Sequence, residues 1–122
     1  MRYVRVDIPV TKNHCLIAFF WKRKRDFRRA TKGPGDACFF WYAHHYKYPI
    51  IGELHFVKGL IGSGMVAHEL EHAALSYTKK NHTRKNEEYL CELVQVMTTN
   101  FWLAVRENKK LNSWIYRKDK KK

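Results

Sequence analysis

The segment Val66-Ala67-His68-Glu69-Leu70-Glu71-His72 sets two histidines four residues apart, with a glutamate directly after the first. On a helix, residues four apart lie one above the other, so His68 and His72 can both reach a single metal ion. Glu69 projects beside them, toward a metal-activated water. The chemistry is that of a zinc hydrolase. Zinc lowers the pKa of its water to about 7 and polarises a carbonyl, while the glutamate takes the water's proton as general base and passes it to the leaving amine.

A catalytic zinc takes three protein ligands and keeps a fourth position for water, so one ligand must come from elsewhere in the chain. The stretch Asn86-Glu87-Glu88-Tyr89-Leu90-Cys91-Glu92 offers two candidates. On a helix Glu88 and Glu92 lie one turn apart on one face, and the small Cys91 beside them allows a second helix to approach closely. Tyr77, Tyr89, His55 and His82 are candidate donors to the oxyanion that forms during attack. Other readings of the same residues stay open. The histidine pair also suits hydrogen-bonded helix side chains, or a structural zinc closed by a fourth protein ligand. Glu71 points away from the histidines, and Glu87 reads as a first-turn carboxylate facing the helix dipole. Adjacent His44 and His45 point in different directions and read as surface or partial core. Cys91 sits between carboxylates that disfavour a thiolate, which argues against a nucleophilic role.

The elements that must position these residues follow from periodicity. Tyr3 to Val10 and Leu16 to Trp21 read as strands, the first by rough alternation and the second as a short apolar run. Lys22 to Lys32 reads as a short basic helix ending at Gly33-Pro34-Gly35. Ala37 to Tyr42 and Ile50 to Val57 read as two more strands, joined through His44 to Pro49. A glycine-rich loop, Lys58 to Gly64, leads into the motif helix, with Ser63 or Gly64 near its N-cap. Val66, Leu70, Ala73 and Tyr77 form that helix's apolar stripe, with His68 and His72 offset from it. A second helix from about Asn86 to about Arg106 carries Leu90, Leu93, Val94, Met97, Phe101 and Ala104 or Val105, and Leu111 to Tyr116 adds one helical turn. The aromatic residues of Phe19 to Trp21, Phe39 to Trp41 and Phe101-Trp102 read as core.

At 122 residues, 45% of them hydrophobic, the chain supports one core. The expected organisation is a single domain over residues 1–116 and a basic, disordered tail over 117–122. No apolar run approaches a bilayer span, and the N-terminus lacks a signal-peptide apolar region. Three cysteines without a C-x-x-C pair argue against a disulfide framework. These features predict a soluble cytoplasmic protein without a membrane partner. Lys and Arg number 24 against 11 Asp and Glu, a formal charge of +13, which favours polyanions such as nucleic acid. The basic residues cluster in Lys22 to Arg29, Lys79 to Lys85 and Arg117 to Lys122, runs that equally serve as solubilising faces.

The two segments together, His68-Glu69-Leu70-Glu71-His72 followed by Glu88-x-x-Cys91-Glu92, resemble the gluzincin peptidases of the thermolysin-like clan. Their downstream helix carries Glu-x-x-small-Asp. The wider arrangement is similar to small zincin-like proteins of phages and prophages, which would place the chain in a host cytoplasm. The resemblance is sharp over Val66 to Gln95 and only topological before it. It implies an α+β, minimal zincin-like fold: a small N-terminal sheet of three or four strands and a short helix, packed on a motif helix and a long C-terminal helix. It implies Zn2+ held by His68, His72 and Glu88, with Glu69 as the catalytic base and Glu92 orienting a zinc-bound histidine. The step from His72 to Glu88 is shorter than the family's, which is nearer that from His72 to Glu92, so Glu92 stays open as the ligand. Glu88 is favoured because it alone has a small residue three positions on and a carboxylate four positions on. Glu92 also stands where the family has Asp. Zincins commonly hold a protein or peptide substrate along an edge strand above the motif helix, and Ile50 to Val57 is expected to be that strand. The expected function is a metallopeptidase. The alternative from a different class is a basic nucleic-acid-binding or host-interaction protein with a structural or vestigial zinc site.

Overall fold

A computed structural model describes residues 2–32, 35, 37–41, 50–78 and 84–115. The alternation in Tyr-Val-Arg-Val-Asp-Ile-Pro-Val produces strand β1 (Tyr3–Thr11), which buries Val4, Ile8 and Val10 and exposes Arg5, Asp7 and Pro9. A turn at Lys12-Asn13 returns the chain as β2 (His14–Trp21), antiparallel to β1, with Tyr3 opposite Trp21 and Ile8 opposite Leu16. Pro9 cannot donate to a ladder, and it lies on an edge strand beside a register shift.

After β2 come α1 (Lys24–Thr31), β3 (Ala37–Trp41) and β4 (Ile50–Val57). The sheet order is β1-β2-β4-β3, with β4 parallel to β2 and antiparallel to β3. Two parallel strands cannot be joined by a tight turn, so the chain needs a crossover, and α1 supplies part of it by packing on β4 and β2. Phe27 anchors α1 with almost complete burial, whereas Arg25, Arg28 and Arg29 stay in solvent. The helix closes at Lys32, whose left-handed φ of 58° lets its N–H bond the Arg28 carbonyl at 2.7 Å.

The opposite sheet face carries α2 (Ser63–Thr78) and α3 (Arg84–Glu107), followed by α4 (Lys109–Ile115). Val66, Leu70, Ala73 and Ala74 of α2 and Leu93, Met97, Phe101 and Val105 of α3 share one buried cluster with Val4, Ile8, Leu16, Phe20, Leu54 and Phe56 of the sheet. Phe101 sits at its centre, with ring centroids 5.8 Å from Phe20 and 5.6 Å from Phe56. Ile17, Phe27 and Val57 are buried outside this cluster; by alternation, Ile17 and Val57 belong to the α1 side. Asn100 of α3 donates its side-chain amide to the Pro9 carbonyl at 2.8 Å, tying the edge strand to the long helix. No helix among the described residues is long and apolar enough to cross a membrane.

The α+β class and all eight elements follow the sequence expectation, with three adjustments. The motif helix begins at Ser63 with the Val66 N–H on the Gly62 carbonyl at 3.0 Å, so the cap falls on Gly62 rather than Ser63 or Gly64. The last helical segment spans Lys109–Ile115 rather than a single turn. Ile50–Val57 is not an edge strand: β4 is paired on both sides, parallel to β2 on one and antiparallel to β3 on the other. Among the described residues the edge strand beside α2 is β3. The connection through His44 to Pro49, most of Lys79 to Lys85 and the tail 117–122 lie outside the described residues.

Removing the Phe101 ring leaves a cavity between three elements. Phe101→Ala is expected to lower the unfolding free energy by about 3–5 kcal/mol, measured by urea denaturation followed by circular dichroism. A loss below about 1 kcal/mol would show that the three-ring contact does not hold α3 to the sheet.

Candidate metal centre

Helix geometry divides α2 between two tasks. Val66, Leu70 and Ala73 turn into the core, which leaves His68 and His72 exposed on the side of the helix turned away from it. The two rings meet there, with Nε2 atoms 3.2 Å apart, centroids 4.7 Å apart and planes at 87°. Two unprotonated ring nitrogens at that distance repel, so such a pair is held by a proton shared between the rings or by a cation. Nitrogens each about 2.0–2.1 Å from one tetrahedral zinc are about 3.3 Å apart, so the spacing fits two ligands of one ion.

Glu69 lies next to the pair but is buried, at 8% exposure. Desolvation holds its pKa above the ordinary carboxylate value, against the opposing pull of His68 and His72. A carboxyl raised in this way is better matched to taking a proton near neutrality than an ordinary glutamate. Glu71 is exposed, as its place on the helix implies.

The α3 carboxylates stand apart from this pair. The stripe Leu93-Met97-Phe101 sets which side of α3 meets the core, and at about 100° per residue it places Glu88 and Glu92 on the outward half. Both are exposed, as are Tyr89 and Cys91. Although α3 packs against α2, no group of three or more His, Cys, Asp or Glu side chains suited to a metal forms among the described residues. The structure thus assembles two of the expected ligands and the expected base, and does not bring Glu88 or Glu92 to them.

The candidate oxyanion donors divide by position. Tyr77 lies about 180° round α2 from His68. Its hydroxyl is 3.2 Å from His14 Nδ1, which also contacts Thr11 Oγ1 at 3.0 Å, so Tyr77 braces α2 against the β1–β2 turn. His55 is buried on β4 between two partners: Trp21 Nε1–H donates to its Nδ1 at 3.0 Å, and its Nε2 is 2.8 Å from Glu53 Oε1. An accepting Nδ1 requires the neutral ring with its proton on Nε2, consistent with a pKa lowered by burial against the opposing effect of Glu53. His55 belongs to the sheet's interior network. Alternation along β4 puts Glu53 and His55 on one face, but Trp21 joins them only through the β2–β4 register. His82 lies outside the described residues.

No protein-family model matches the chain, and no curated protein sequence or solved structure matches it either. The gluzincin resemblance therefore rests on the residues of α2 and α3 alone.

Glu69 also leaves a mark on stability. Because its folded-state pKa is raised, its stabilising contribution is present below the ordinary carboxylate pKa and is lost as pH rises through the raised value. Glu69→Gln is neutral at every pH, so in chelator-treated protein it is expected to gain stability relative to the parent between pH 4 and pH 8. Urea midpoints across that range check this; a constant difference would show that Glu69 is not held in a desolvated site.

Proposed function

We propose that this protein is a zinc-dependent hydrolase that cleaves peptide bonds. The observation that carries the reading is the convergence of His68 and His72 beside a buried Glu69 on one helix. The imidazoles supply two nitrogen ligands at a spacing suited to one tetrahedral ion, and Glu88 of the adjoining helix is the proposed third. Zinc held there would supply an activated water and polarise the substrate carbonyl.

The chain's own residues have defined tasks. The α2 backbone holds His68 and His72 one turn apart on one side of the helix, so their spacing is set before a metal arrives. Glu69 takes a proton from water and returns it to the leaving amine, a role favoured by the desolvation that raises its basicity. Glu92 orients a ligand imidazole through the nitrogen that is not bound to metal. Exposure of Glu88 and Glu92 in this arrangement means that metal binding has to draw the first turns of α3 toward the pair. β3, the edge strand beside α2 among the described residues, would hold an extended peptide by main-chain hydrogen bonds.

The test is elemental analysis of protein loaded with zinc and freed of excess, alongside proteolysis of an unfolded substrate. About one zinc per chain is expected, abolished by His68→Ala and by Glu88→Ala and only weakened by Glu92→Ala. Glu69→Gln is expected to retain the metal and to lose hydrolysis by at least about a hundredfold. Retention of zinc in Glu88→Ala with loss in Glu92→Ala would transfer the third ligand to Glu92. Absence of zinc from the parent, or unchanged hydrolysis in Glu69→Gln, would overturn the reading.

A further inference from the structure

The sheet face turned away from α2 and α3 has a different chemistry. At the end where β1 begins and β2 finishes, Tyr3, Phe19 and Trp21 form a ladder of rings, with centroids 5.3 Å apart for Tyr3–Phe19, 5.0 Å for Tyr3–Trp21 and 6.5 Å for Phe19–Trp21. These rings are not core: Tyr3 is 39% exposed, and Phe19 and Trp21 are half-buried. His55 flanks the ladder on the β4 side, stacked on Phe19 at 4.9 Å and accepting a hydrogen bond from Trp21.

At the same end of the sheet lies a cleft of about 370 Å³, lined by Arg2, Lys22, Arg23, Arg25 and Arg29 with one carboxylate, Asp26. Arg2 directly precedes Tyr3 and Lys22 directly follows Trp21, and the Lys22 N–H bonds the Arg2 carbonyl at 2.9 Å, so cleft and ladder share one backbone junction. Five cations around one opening hold an anion by charge, and guanidinium groups match phosphate in paired hydrogen bonds.

We propose that this end of the sheet binds single-stranded nucleic acid, with bases stacked on the exposed ring of Tyr3 and the phosphodiester backbone running into the cleft of Arg2, Lys22, Arg23, Arg25 and Arg29. Aromatic platforms beside a cationic groove are the combination that unpaired strands require, because only they present base faces along with phosphates. Duplex buries those faces. A membrane-binding helix would project apolar side chains outward among its cations, whereas the large apolar side chain of α1, Phe27, is turned inward and leaves the outer face of that helix polar. The site is independent of the histidine pair on α2.

The experiment is fluorescence anisotropy of a labelled oligothymidylate of about 12 nucleotides, with EDTA present so that the result is separate from any metal chemistry. Binding is expected to weaken with salt on a log–log slope of about −3, as for about four or five neutralised phosphates on a single strand. Arg25→Glu is expected to weaken it about tenfold and to flatten the slope, whereas Lys12→Glu, an equal change of charge in the turn at the other end of the sheet, is expected to cost under about threefold. Tyr3→Ala is expected to cost at least about fivefold, and Tyr3→Phe, which keeps the ring, is expected to match the parent. Equal affinity for a duplex of the same length, equal losses in Arg25→Glu and Lys12→Glu, or tighter binding to phosphatidylserine vesicles than to the oligonucleotide would each overturn the proposal.

Discussion

The parallel pairing of β2 with β4 is the constraint on which the rest of this structure depends. Antiparallel neighbours can be joined at one end of a sheet, but parallel neighbours oblige the chain to travel back across a face before the second strand begins. Here that return includes α1, which covers part of one face, and β3, which then pairs with the outer side of β4. The other face is left to α2 and α3. Phe20 and Phe56 stand opposite each other in the β2–β4 register, and Phe101 closes over both, so the parallel pair is also where the long helix attaches. Edge strands, helix faces and the positions of the two chemically interesting regions all follow from that arrangement.

On the α2 side, core packing both builds the candidate metal centre and keeps it incomplete. Burying Val66, Leu70 and Ala73 rotates His68 and His72 outward together and pulls Glu69 partly under the surface. Desolvation then separates the chemistry of three adjacent polar groups: two exposed imidazoles that share an interaction, and one carboxyl whose charged form is disfavoured. The same logic applied to α3 has the opposite effect. Its stripe of Leu93, Met97, Phe101 and Val105 is long and continuous, and satisfying it turns Glu88 and Glu92 to solvent. The third ligand proposed from α3 would therefore compete with apolar packing, a competition that the free energy of a metal bond would bias.

On the α1 side, a half-buried polar network supports an aromatic surface. Neutral His55 accepts from Trp21 and faces Glu53 while stacking beside Phe19. Satisfied polar groups of this kind are rigid, because each lost hydrogen bond would leave a desolvated group behind. The rings beside it are thereby held in a row next to the cations of α1 and the strand ends.

Much of this protein was legible in its residues. Period-two and period-3.6 patterns, short apolar runs and the breaks at glycine and proline located the four strands and four helices, because side-chain direction and chain-breaking are local properties of the backbone. His68 and His72 could be paired from spacing alone for the same reason: four residues along a helix is one turn. What the tertiary structure decided is everything that depends on which element lies beside which. Strand order moved Ile50–Val57 from the edge to the interior and left β3 as the edge strand beside α2 among the described residues. The orientation of α3 turned Glu88 and Glu92 outward, and the side of α2 that meets the β1–β2 turn gave Tyr77 to His14. Arg2, Tyr3, Trp21 and the arginines of α1 met at one end of the sheet because register joins residues nearly twenty positions apart. Periodicity sets where a side chain points relative to its own helix or strand; only long-range packing of apolar faces sets what it points at.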